Sequence, residues 1–354
     1  MVKLSFGCTL PIRGPCASVG NLSTAAKEQE ALGFDAIYMN DHISSEWPKH
    51  LYDFQGIGPP EVPENFADPI VFESITSMAY LAAITERVEI AVSVILLPVR
   101  NPIVLAKQIA TVDVFSRGRI VVGFGVGNKA DRPEAENIGL AHPFEERGKV
   151  ADESIMAMRI IWTESEPSFH GKYIKFDNLL IYPKPIRKPH PPIIIGGRSP
   201  AAERRAALLG DGYSPSFSGI PEFPGEISRI REIAKKRGRN ISNNRFVGTF
   251  FTSIDESRES SRKALEYQLV IRGGGIYGGL HKKEHEDMLG REWSNSEHVE
   301  RAMVGSPSDI IRKIESLLEI DGFTHLQLSI VHPTFASYMK QIRLLGREVL
   351  PSFK

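Results

Sequence analysis

Cysteine is nearly missing from this 354-residue chain: only Cys8 and Cys16 occur. Two are too few for a disulfide framework and their spacing is not that of a metal site, so both are expected as reduced thiols. An excess of charge of one sign is missing as well. The 43 basic and 43 acidic residues cancel, which removes the global field that nucleic acid or an anionic membrane surface would require. A small-molecule organic substrate fits that balance better. No apolar run approaches the length that spans a bilayer, and the opening MVKLSFGCTL enters a strand pattern without the apolar core and cleavage site of a secretory signal. The expectation is a soluble, cytoplasmic protein with no nucleic-acid or membrane partner. Internal repeats and linkers are lacking too. One domain over residues 1–354 is therefore expected, although length alone would allow two.

What is present is an alternation of strand and helix patterns. Leu4 to Cys8 reads as a strand, Leu22 to Leu32 as a helix stopped by Gly33, and Ala36 to Asn40 as the second strand. Val88 to Val94 is a short β-branched run of the kind buried on both faces. Leu105, Ile109, Val112 and Phe115 then fall at helical spacing, and Ile120 to Phe124 returns as another buried strand. A connection of this length joins parallel strands, with a right-handed crossover. Phe144 to Trp162 predicts a helix and 168–185 an appended hairpin. Ile193 to Ile195, Gly212 to Pro215, Phe246 to Ile254 and His325 to Ile330 supply the remaining strands, with a helical stripe at Ile310, Ile311, Ile314, Leu317 and Leu318. Eight strands with intervening helices predict an α/β TIM-type (β/α)8 barrel with insertions at the carboxyl-terminal face of the strands. Two insertions, about 43–67, which has neither helical nor strand period, and 273–300, whose glycines in RGGGIYGGL permit hinge motion, follow elements that place them near strand ends, where barrel enzymes keep their chemistry.

Five places could carry chemistry. Asp41-His42 directly follows the second strand, so an imidazole would stand at the rim with a carboxylate to orient it; the plain alternative is a loop histidine beside a capping aspartate. GFGVGN at 123–128 lacks the GxGxxG spacing, and no helix is expected directly after it. Its glycines instead allow close backbone approach, with Gly125, Gly127 and Asn128 as candidate cofactor contacts or as tight barrel packing. GGRSP at 196–200 combines Gly196, Gly197, Arg198 and Ser199 with a helix start, a phosphate site in outline or an ordinary turn. His281 and His285 stand four apart, but within HKKEHED they read as a solvated helix face, and no metal site is expected. The basic run Lys235-Lys236-Arg237 reads likewise, with attraction of an oligoglutamate tail as the alternative.

The stretch VEIAVSVILLPVRNPIVLAKQIATVDVFSRGRIVVGFGVGN, with the later FEERGKVADESIMAMRIIW, SFHGKYIKFDNLLIYPKP, HPPIIIGGRSP and GREVLPSF in order, resembles the luciferase-like family of flavin- and deazaflavin-dependent oxidoreductases. That resemblance implies a non-proline cis peptide at Ser93-Val94, forming a bulge that backs the cofactor ring. It also implies an acid/base or ring-contact role for His42 with Asp41. The Ser-Val pair is similar to the form in F420-dependent sugar-phosphate dehydrogenases, which implies F420 as cofactor with FMN as the alternative. Those enzymes differ in carrying a glutamate at the place of Asn128 and a tryptophan one position sooner than Trp47. The resulting expectation is an F420-dependent oxidoreductase that exchanges a hydride with a small organic substrate, most often as a homodimer. The alternatives are an FMNH2-dependent monooxygenase using oxygen and a flavin-binding barrel without catalysis.

Overall fold

The computed structural model describes residues 4–44, 70–215, 222–271 and 299–354. The expected insertions at 43–67 and 273–300 lie almost wholly outside the described residues, as do Trp47, His281 and His285. The first half runs β1 (Ser5–Thr9), α1 (Val19–Leu32), β2 (Ala36–Met39), α2 (Ser74–Ile84), β3 (Glu89–Leu96), α3 (Pro102–Phe115) and β4 (Ile120–Gly125). Next come α4 (Arg132–Ile138), α5 (Arg147–Thr163), the two-residue strands β5 (Phe169–His170) and β6 (Lys175–Phe176), β7 (Ile193–Gly196), α6 (Pro200–Leu209) and β8 (Gly212–Ser214). The chain closes with α7 (Phe223–Lys236), β9 (Arg245–Ile254), α8 (Arg258–Ile271), β10 (Met303–Gly305), α9 (Pro307–Leu318), β11 (Phe323–Ile330) and α10 (Phe335–Leu344).

Strands β1, β2, β3, β4, β7, β8, β9 and β11 pair in that order, all parallel, and β11 returns to β1. This is the expected eight-stranded TIM-type barrel. β10 adds outside it, parallel to the end of β9, and β5 with β6 forms the appended hairpin. Local chemistry explains the helix ends. Ser18 accepts from the Asn21 amide to open α1, and Gly33, at φ +90°, closes it in the left-handed conformation that glycine tolerates. Asn101 accepts from the Ile103 and Val104 amides ahead of Pro102, so the Asn-Pro pair starts α3.

One expected core residue is outside the core. Phe115 is 61% exposed, because the buried face of α3 through Ile109 and Val112 continues at helical spacing to Ser116, which is fully buried.

The barrel interior is layered, as alternation along each strand requires. At the amino-terminal end, Arg245 reaches across the floor to Glu89 with bonds of 2.6 and 3.0 Å, and Arg187 adds one of 2.9 Å. Burial opposes the Glu89 carboxylate, but the two arginines outweigh it and hold its pKa below the usual carboxylate range. Above them Ala36, Tyr38, Ala91, Val121, Ile194 and Val247 form an apolar layer. Two residues further along, the strands divide. β4 and β7 carry Gly123 and Gly196, whereas β8, β9 and β11 carry buried Ser214, Thr249 and Gln327.

Candidate active site

The site is built where β2 ends. Asp41 is buried, and its carboxylate accepts from Ser74 Oγ at 2.7 Å, the Leu96 amide at 3.0 Å, and Arg100 Nε and Nη2 at 3.2 and 2.5 Å. Arg100 also reaches Glu73 at 2.9 Å. The expected orientation of His42 by Asp41 is therefore corrected. Adjacent residues leaving a strand point to opposite sides, and Asp41 turns into the wall to tie β2 to the end of β3.

The partner of His42 is Glu134, from the short helix α4. His42 Nδ1 lies 2.8 Å from Glu134 Oε2, while Oε1 accepts from the Ile43 amide at 2.6 Å and the Ser44 amide at 3.0 Å. Burial opposes ionisation of Glu134, but the hydrogen bonds from His42 and the two amides together lower its pKa. An ionised carboxylate only accepts, so Nδ1 must carry the proton. That leaves Nε2 as the second functional atom of a side chain one-third exposed to solvent.

Gly127 and Asn128 shape the turn that delivers Glu134. Gly127 has φ +70°, and the Asn128 amide donates to Asp131 Oδ2 at 2.8 Å. A 3-10 turn at Lys129–Asp131 leads straight into α4, which corrects the expectation that no helix follows this motif. Pro133 in the first turn of α4 has no amide to leave unsatisfied there. His42, Asp131 and Glu134 present ligand-type atoms within 4.8 Å of one another. Each already has a hydrogen-bond partner, so the cluster is accounted for without an ion.

Opposite stands the bulge. The Ser93-Val94 peptide is cis, as the resemblance implied, and the pairing of β3 with β4 shifts register between Val92 and Ile95. The Val94 side chain packs on glycines: a β-carbon at Gly196 would lie 2.5 Å from its Cγ1, and one at Gly125 would collide with its Cγ2. Of the two readings of these glycines, the geometry supports packing. Gly125 and Gly196 make room for Val94, and Val94 with Ser93, both half-buried, presents the surface.

The GGRSP turn starts a helix, with Ser199-Pro200 as the cap and first-turn pair. The Arg198 side chain is nearly covered and bonds Glu226 of α7 through Nε at 2.9 Å, while Ser199 Oγ caps its own helix by accepting from the Ala202 amide at 3.2 Å. Glu226 thus holds Arg198 through Nε, and the start of α6 takes the Ser199 hydroxyl. Burial pushes the Glu226 carboxyl up and Arg198 opposes this. What remains is the turn itself. Gly197 has φ +111°, and the amino end of α6 carries one first-turn acid, Glu203, which is paired with Arg229. An amide cradle with a positive helix end is thus available to a cofactor phosphate.

The polar interior layer was not anticipated. Ser214 Oγ lies 3.2 Å from Thr249 Oγ1, which donates to Gln327 Oε1 at 3.3 Å. These side chains stand between the apolar layer and the barrel mouth. Glu134 was not anticipated either, since one glutamate in RPEAENIGL carries no mark of its long-range partner.

Comparison with known proteins agrees with this geometry. The family model described as luciferase-like monooxygenase matches residues 6–325. An FMNH2-dependent dimethylsulfone monooxygenase of Pseudomonas putida is 27% identical over 301 residues, covering 79% of this chain and 78% of that protein. An F420-dependent glucose-6-phosphate dehydrogenase of Nakamurella multipartita is 26% identical, covering 100% and 97%. Among solved structures, an F420-dependent secondary alcohol dehydrogenase in complex with an F420-acetone adduct superposes with a TM-score of 0.75 at 20% identity, covering 99% of each chain.

Proposed function

The chain belongs to the luciferase-like monooxygenase family and is a flavin- or deazaflavin-dependent oxidoreductase, within which we propose that it uses F420 to exchange a hydride with a small organic substrate. The observation that carries this reading is the His42–Glu134 pair at the barrel mouth. Hydride transfer to a carbonyl or from an alcohol leaves one proton to be delivered or removed, and an imidazole held by one nitrogen can do that with the other. The Ser-Val identity of the residues at the bulge and the match to an F420-dependent relative along the whole chain support the same branch.

The cofactor, when bound, supplies the hydride chemistry at its ring. The chain supplies position and a proton path. Val94 offers an apolar platform among Gly123, Gly125 and Gly196, and the α6 turn offers amides for a phosphate. His42 Nε2 takes the hydroxyl proton as an alcohol is oxidised, or returns it as a carbonyl is reduced, while Glu134 stabilises the imidazolium through Nδ1. Asp41, locked by Arg100, fixes the end of β2 from which His42 projects. Ser214, Thr249 and Gln327 give the cup a polar floor suited to an oxygen-bearing substrate.

A monooxygenase reading on FMNH2 is supported by the dimethylsulfone monooxygenase, at similar identity but over less of the chain. Titration of the apoprotein with F420 and FMN side by side decides. F420 is expected to bind at least about tenfold more tightly, a difference of about 1.4 kcal/mol; the reverse preference replaces this proposal with the monooxygenase.

A further inference from the structure

Helices α8 and α9 begin just past the ends of β9 and β10, and a cavity of about 440 Å³ lies beside their first turns. It is separate from the His42–Glu134 pair. Its lining includes four cations, Arg258, Arg262, Arg312 and Lys313, against two carboxylates, Glu300 and Asp309. Of the two carboxylates, Asp309 is already committed to its own helix. Asp309 accepts from the Ser306 amide at 3.0 Å and from Ser306 Oγ at 2.8 Å as part of the α9 capping box, and it spends its other oxygen on Arg312 at 2.5 Å. Arg262 pairs along its own helix with Glu266 at 2.7 Å, an exposed contact that binds it weakly.

Two cations are left without an acidic partner. Lys313 Nζ donates to the carbonyls of Glu300 and Ala302 at 2.5 and 2.6 Å and meets no carboxylate among the described residues. Burial, with Arg258 beside it, pushes the Lys313 pKa down to about 8, against a smaller opposing effect of Glu300. Arg258 makes no ion pair among the described residues. A cation held in a wall at a cost faces a cavity whose lining has a net excess of two positive charges (four minus two), a balance that favours an anion. The cavity is larger than one phosphate needs and lies within the size range of small-molecule pockets.

We propose that this cavity binds a small multivalent oxyanion, phosphate-bearing or polycarboxylate, between Arg258 and Lys313. Two sources share that chemistry: a free metabolite, or an anionic tail of the cofactor reaching out of the cup. The second source rests on the F420 reading; the first does not.

Calorimetric titration of the apoprotein with citrate and with inorganic phosphate tests the site, with sodium chloride at matched ionic strength as control because such anions also stabilise proteins by exclusion. Saturable one-to-one binding is expected. It should weaken at least about tenfold in Arg258→Glu, and equally in Lys313→Met. Arg258 is exposed and unpaired among the described residues, so its variant stays folded and decides the question if Lys313→Met does not fold. Binding should survive Ala201→Asp, which alters the α6 turn instead. F420 with and without its glutamyl tail forms the second arm, where a tail-dependent loss of affinity in Arg258→Glu assigns the site to the tail. No saturable binding in either arm, or binding indifferent to Arg258→Glu, overturns the proposal. If F420 fails to bind at all, the cofactor reading falls and the citrate and phosphate arm still decides this one.

Discussion

Replacing Glu134 by glutamine removes one charge and almost no volume, and its consequence for His42 follows from hydrogen-bond arithmetic. In the native chain the carboxylate accepts three bonds: Nδ1–H of His42 and the amides of Ile43 and Ser44. The glutamine carbonyl can keep both amides, since they share Oε1. Its NH2 group then occupies the place of Oε2 and can only donate. Nδ1 must become the acceptor, and the proton moves to Nε2. Glu134→Gln should thus reverse the tautomer while leaving the loop in place.

The magnitudes separate this from a structural defect. Three charge-assisted bonds at about 1.5 kcal/mol each would cost about 4–5 kcal/mol if all were lost, as in Glu134→Ala, less what exposed amides recover from water. Glu134→Gln gives up one of them, about 1–2 kcal/mol, so the variant stays folded. Its rate with saturating cofactor should fall by about two to four orders of magnitude, as for a mispositioned acid or base. Cofactor affinity should change less than about threefold, because the Val94 bulge and the α6 turn are untouched. The nitrogen-15 spectrum of the His42 ring needs neither cofactor nor substrate. It should show the proton on Nδ1 in the wild type and on Nε2 in the variant. The same tautomer in both proteins would refute the argument at its root.

Other perturbations test separate parts. His42→Ala should lower turnover by about two to four orders of magnitude with cofactor affinity nearly retained; collapse of affinity with the rate intact would make His42 a binding residue. Gly197 sits at φ +111°, where any side chain is strained, so the phosphate turn is better tested by Ala201→Asp, exposed near the start of α6. That carboxylate favours the helix and repels a phosphate, so the melting temperature should hold while cofactor Kd rises about tenfold; unchanged Kd would place the phosphate elsewhere. Burial, with Arg245 nearby, pushes His325 down to about 4, so the fold prefers the neutral ring. The unfolded chain takes up the proton first, and urea midpoints should fall as pH drops from about 6.5 toward 4, then further as Glu89 loses its charge. His325→Gln should reduce the fall in the upper part of that window only, where His190, also pushed down by burial, contributes the rest.

The barrel was legible because its strands are buried on both faces, so runs such as IVVGFG stand out without any partner being known. Helices with a clean cap and stripe, such as α9 behind Ser306, were legible for the same reason. Others were hidden by their chemistry. α7 opens with Phe223-Pro224-Gly225 and so lacks a conventional start, and α2 is apolar on nearly every side and so lacks a polar face. The cis peptide entered by resemblance alone; a serine beside a valine carries no sign of it.

At the site, the sequence places His42 beside a carboxylate that does not hold it, and the reason is general. Neighbours along an outgoing strand face opposite ways, so the residue that follows an anchor is free to be functional while the anchor itself is not. Asp41 shows this. Its two oxygens take four donors, two of them from Arg100, and Arg100 immediately precedes the Asn101-Pro102 pair that starts α3. One short segment therefore clamps β2, ends β3 and launches the next helix. The acid that serves His42 must then come from another element, and α4 delivers it across 92 positions of sequence. Because Glu134 also holds the amides of Ile43 and Ser44, it fixes the chain that leaves the site together with the imidazole. Orientation of the imidazole and placement of the segment beyond it are one interaction, so a change at Glu134 that moved one without the other would contradict this account.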